Sequence, residues 1–87
     1  MENLKILFTN YINLEAATDA ASRAWEQDPE DEKLEAAFDS AYKAESDART
    51  ALMQEIVSLS NGQINLSTAR TMLILKREEL QALISMI

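Results

Sequence analysis

Apolar residues recur along this chain at alternating spacings of three and four, the repeat of a helix that buries one face. The first run is Leu4, Leu7, Tyr11, Leu14, Thr18, Ala21 and Trp25, widened at its start by Phe8 and Ile12. It predicts a helix over about 4–26, carrying the poor helix formers Thr9, Asn10 and Asn13 with it. A second run, Leu34, Phe38, Ala41, Ala44 or Glu45, Ala48, Leu52, Ile56 and Leu59, predicts a helix over about 29–60. A third, Leu66, Ala69, Leu73, Lys76, Leu80, Leu83 and Ile87, predicts a helix over about 67–86, capped by Asn65 or Ser67.

The polar stretch between the first two runs, Asp28-Pro29-Glu30-Asp31-Glu32-Lys33-Leu34, reads as the corner of a hairpin. Asp28 suits an N-cap, because its carboxylate can accept from free amides of the first turn. Pro29 suits the first helical position, where its missing N–H costs nothing. Glu30, Asp31 and Glu32 then face the positive end of the helix dipole. Pro29 also disfavours helical backbone at Asp28, which ends the preceding helix near Glu26 or Gln27. So short a break predicts an antiparallel pair. Its alanine stretches (Ala16, Ala17, Ala20, Ala21 and Ala24 in the first helix, Ala36, Ala37, Ala41, Ala44, Ala48 and Ala51 in the second) face each other near the corner, and its bulky residues (Leu4, Leu7 and Phe8 against Leu52, Ile56 and Leu59) meet at the open end. Asn61-Gly62 closes the second helix, with Gly62 as the left-handed residue.

The third run carries more apolar surface than one hairpin can cover. Met72, Leu75, Ile84 and Met86 fall off the main stripe, with Ile74 further round; those four are expected to form an oligomer interface, the alternative being a third helix lying deep in a groove between splayed helix ends. The expected architecture is all-α in a single domain: a long antiparallel hairpin with a third helix across its open end, a three-helix bundle assembling as a homodimer.

Composition sharpens this picture mainly by exclusion. One Gly and one Pro in 87 residues suit long helices. Without Cys or His the chain has no disulfide framework, no thiolate nucleophile, and neither the commonest general base nor the commonest metal ligand. No Gly-rich phosphate loop or nucleophile motif is present, so no catalytic residue, cofactor or metal is expected. The longest apolar run, Met72 to Leu75, is far short of a membrane span, and the first residues lack the basic and apolar regions of a signal peptide. The expected location is the cytoplasm, with no membrane contact.

The formal charge of −7 is unevenly placed. Residues 15–47 hold eleven acids against three bases, net −8, and the remainder nets +1. Such an end repels nucleic acid and steers toward a basic surface. The acidic tip, Asp28, Glu30, Asp31, Glu32, Glu35 and Asp39, reads as a solvated helix start, as a docking patch for a basic protein, or as a hard-cation site. The last lacks the glycine and spacing of a calcium loop. Trp25 is expected to plug the hairpin end against Leu34 and Phe38, or else to serve the patch as an aromatic anchor. Tyr42, off the main stripe, packs against the third helix or joins that same surface. Glu15 and Glu45 near the seam invite a paired-carboxylate reading, but a slim alanine-lined hairpin offers no cleft, and they are expected at the edge, reaching solvent or Arg49. Arg70, Lys76 and Arg77 are too few on an acidic molecule for a DNA-reading helix, and they suit helix ends, Glu78 and Glu79, or a subunit register.

The function expected is that of a non-catalytic interaction protein presenting an acidic surface to a basic protein partner, with no direct nucleic-acid binding. Its sharpest form is a nucleic-acid-mimicking inhibitor filling the channel of a host enzyme, of phage or mobile-element type. The alternative is a structural or assembly module, such as a small chaperone, antitoxin-like or scaffold protein, binding through the apolar face of the third helix.

Overall fold

A computed structural model describes residues 2–85; Met1, Met86, Ile87 and the side chain of Leu83 lie outside the described part. The described chain is all-helical, with α1 (Glu2–Gln27), α2 (Glu32–Leu59), α3 (Leu66–Leu75) and α4 (Arg77–Ser85). The two long helices pack side by side along a molecule of 47 × 22 × 21 Å. None of the described helices is long and apolar enough to cross a membrane.

The corner reverses the chain where the sequence indicates, but with a different cap. The Asp28 carbonyl accepts from the Asp31 amide at 3.1 Å, so Asp28 and Pro29 occupy the first two positions of a turn that favours both. Asp31, not Asp28, is the N-cap: its carboxylate accepts from the Lys33 amide at 2.9 Å. Helix α2 therefore starts at Glu32 rather than Pro29. The Pro29 carbonyl accepts from the Trp25 indole N–H at 3.2 Å instead of from a helical amide. Two local side-chain bonds thus outcompete three further helical residues.

The core lies wholly at the open end. Leu4, Phe8 and Tyr11 of α1 meet Ala48, Leu52 and Ile56 of α2. Ala69 and Leu73 of α3, with Leu80 and Ile84 of α4, close over them. Leu59, expected in this stripe, lies exposed at the helix end. Toward the corner no third layer covers the pair among the described residues, and Ala21, Trp25, Leu34, Phe38 and Ala41 are only half-buried. Thr18, buried between the two regions, satisfies its hydroxyl by donating to the Leu14 carbonyl at 3.0 Å.

Helix α2 ends with two left-handed residues, Asn61 at φ 55° and Gly62 at φ 82°. Asn tolerates that conformation better than most side chains, and it shares the role expected of Gly62 alone. The Ser60 hydroxyl braces the loop, donating to the Val57 carbonyl at 2.8 Å and accepting from the Ile64 amide at 3.1 Å. Asn65 caps α3, its side-chain oxygen accepting from the Thr68 amide at 2.8 Å.

The third predicted helix is two helices. The chain breaks at Lys76 (φ −121°, ψ 33°), which ends α3 and precedes Arg77, the first residue of α4. The break has a tertiary cause: α3 packs on α2, whereas α4 crosses to α1. Glu78 and Glu79 then fall in the first turn of α4, where negative charge is favoured.

Candidate functional site

The acidic end is built from the last turns of α1, the corner and the first half of α2. Asp28, Glu30, Glu32, Glu35 and Asp39 are all exposed, and Asp31 is half-buried by its capping role. Between Asp19 and Asp47, leaving aside Glu45, stand nine carboxylates with Arg23, Lys33 and Lys43 among them. None of the nine is in an ion pair among the described residues, where only Glu45–Arg49 and Glu15–Arg77 pair. The spacings of four that suggest Asp19/Arg23, Asp39/Lys43 and Lys43/Asp47 pairs yield no bridge. Pairs of that kind contribute only a few tenths of a kcal/mol and lose to solvation of the free side chains.

An aromatic row runs through this end. Trp25 stacks on Phe38 with ring centroids 5.4 Å apart, as the sequence suggests. Phe38 in turn stacks on Tyr42 at 6.1 Å. Tyr42 is 50% exposed and extends the row toward solvent rather than packing under the third segment. The row sets large, stiff apolar faces among the unpaired carboxylates.

A second polar cluster sits where the hairpin meets α4. Arg77 holds both carboxylate oxygens of Glu15 at 2.6 Å, and the Tyr11 hydroxyl accepts from the same guanidinium at 3.1 Å. That hydroxyl donates on to Glu15 at 3.2 Å. The hydrogen bonds from Arg77 hold the Glu15 carboxyl below the usual carboxylate range, against the opposing push of burial; the charges of Arg77 and Arg49 and the Tyr11 hydroxyl add to the lowering. Glu45, 7% exposed, is paired by Arg49 at 3.4 Å. Both arginines lie over the Tyr11 ring, Arg77 at 5.5 Å and Arg49 at 5.9 Å from its centroid.

Glu15 and Glu45 were expected at the edge, reaching solvent or Arg49; Glu45 does meet Arg49 but is buried rather than at the edge, and Glu15 is held by Arg77, a partner the sequence does not indicate. Arg77 and Glu15 stand 62 residues apart, and the break at Lys76 sets the direction in which Arg77 points. Each of the two carboxylates is engaged by an arginine. Among the described residues, no three acidic side chains converge to hold a metal ion.

The residues expected at an oligomer interface do not stay together. Leu75 is 77% exposed, and Met72 is half-buried against the core. Ile84 is corrected outright: at 4% exposure it belongs to the protein's own core, because α4 turns that face onto α1. Met86 lies outside the described residues. Ile74, treated as peripheral in the sequence, is exposed beside Leu75.

The chain matches no protein-family model, no curated protein and no solved structure.

Proposed function

We propose that this protein is a non-catalytic interaction protein whose acidic hairpin end docks on a basic surface of another protein. The observation that carries the reading is the set of nine carboxylates left without ion pairs among the described residues. Unpaired like charges on one end repel one another, and a basic partner relieves that repulsion on binding. Trp25, Phe38 and Tyr42 supply contact area in the same region, of the residue types that dominate interface energies. In its sharpest form the partner is an enzyme with a nucleic-acid channel, in which Asp28, Glu30, Glu32, Glu35 and Asp39 stand in for phosphates. The chain is then an inhibitor of phage or mobile-element type.

The test is a pull-down from cells expressing the tagged chain, with those five acids changed to Lys. Asp31 is left intact because it caps α2. The variant should stay helical by circular dichroism and lose the partner, and salt should release the partner from the parent chain. Retention by the variant at equal helicity removes the reading.

The exposure of Leu75 and Ile74 favours a second reading, an assembly module that binds through the outer face of α3. That reading demands the opposite behaviour: binding nearly indifferent to salt and abolished by Leu75→Glu.

A further inference from the structure

The break between α3 and α4 lacks the usual causes. Residues 73–79 read Leu-Ile-Leu-Lys-Arg-Glu-Glu, with neither Gly nor Pro, and nearly all are good helix formers. In an unbroken helix the amides of Arg77, Glu78 and Glu79 would donate to the carbonyls of Leu73, Ile74 and Leu75. Here the backbone bonds at the junction run only from the Lys76 amide to the Met72 carbonyl and from the Leu80 amide to the Lys76 carbonyl. Local preference favours one straight helix. The bend persists because α4 is held elsewhere.

What holds it is the core of the hairpin and the residues of α1. Leu80 and Ile84 enter the core, and Arg77 grips Glu15 and Tyr11. Among the described residues, the only helix beyond α3 that α4 packs on is α1. A nine-residue helix joined through a bend that its own sequence opposes, whose only long helix partner among the described residues is α1, can leave and return as a unit.

We infer that α4 is exchangeable: two copies of this chain trade α4 across Lys76, each donating Arg77, Leu80 and Ile84 to the α1 of the other. Straightening at Lys76 restores the three missing backbone bonds in each chain, and the contacts of α4 are remade unchanged on the second copy. Ile74 and Leu75 lie exposed beside the hinge in the single chain, apolar surface open to a second copy. The inference does not depend on what the acidic end binds.

Two measurements test it. Lys76→Ala favours the straight hinge and Lys76→Gly the bent one, while both remove the same charge. The difference in helix propensity is worth roughly fivefold per chain, or about 25-fold in the dimer dissociation constant, with the Ala variant tighter by sedimentation. Equal constants, or two monomers at millimolar concentration, would overturn the proposal. The second measurement co-refolds a Glu15→Arg chain with an Arg77→Glu chain. Alone, each sets like charges together in both the closed and the exchanged form. Only a mixed, exchanged pair restores opposite charges at both junctions. Native mass spectrometry should then show the mixed dimer well above the statistical half of all dimers. A statistical mixture, or no mixed dimer, would reject the exchange.

Discussion

Arg77 and Glu15 are joined by two parallel hydrogen bonds of 2.6 Å, the long-range ion pair that fastens α4 to α1. The pair has the fork-on-fork form that makes arginine–carboxylate contacts strong and directional. It is about two-thirds buried, with side chains 32% and 28% exposed, so it is stronger than a surface bridge yet still screened by water. Arg77→Met should lower stability by about 1–2 kcal/mol in urea denaturation. Glu15→Gln should lower it by a similar amount. The double variant should lose much less than the two losses combined, because the residues share one interaction. Additive losses would show that the two side chains act separately.

The same contact predicts a pH dependence with a definite sign. The ordinary value for the Glu15 carboxyl is 4.5, and its hydrogen bonds to Arg77 lower it in the folded chain. A carboxyl depressed on folding stabilises the native state above its unfolded value and loses that contribution as pH falls through the folded value. Arg77 and Arg49, both raised further by their partners, stay charged throughout, and the other groups facing Glu15 are Tyr11 and Glu45. The stability gap between the parent chain and Glu15→Gln should therefore be full at pH 7 and should narrow as pH drops below about 4.5. The acidic tip is common to both chains and cancels. A gap that widens in acid contradicts the assignment.

The corner offers a test of which aspartate caps α2. Asp31→Ala should cost about 1 kcal/mol, the usual loss of an N-cap acceptor. Asp28→Ala removes the same charge but no side-chain hydrogen bond found here, and it should stay within about 0.5 kcal/mol of the parent. Thermal melts of the two variants at one salt concentration separate the effects.

Leu52 and Leu75 mark the two extremes of leucine environment. Leu52 is completely buried between the long helices and the third segment, and Leu52→Ala should cost about 2–5 kcal/mol. That is a large share of the stability expected of a domain this size. Leu75 faces solvent, and Leu75→Ala should fall within about 0.5 kcal/mol of the parent at concentrations where the chain is monomeric. A substantial loss at Leu75 that grows with protein concentration would reveal a second copy covering it.

What the sequence determined by itself is whatever depends on local spacing and local chemistry. The three-and-four repeat from Leu4 to Trp25 and from Leu34 to Ile56 was enough for two long helices. Pro29 among acids was enough for the corner, and the run of unpaired carboxylates was already visible as an acidic end. Periodicity also brought Glu15 and Glu45 near the seam, because a helix stripe is a property of consecutive residues, but it did not bury Glu45. Tertiary packing decided the rest. The stripe Ala69, Leu73, Leu80, Ile84 fits a straight helix as well as a bent one, so nothing local places the break at Lys76. Once α3 lies on α2 and α4 must reach α1, the bend follows. With it come the exposure of Leu75 and the meeting of Arg77 with Glu15. Those outcomes depend on contacts between residues far apart in the chain, which compete with backbone hydrogen bonds and are set only when the whole molecule packs.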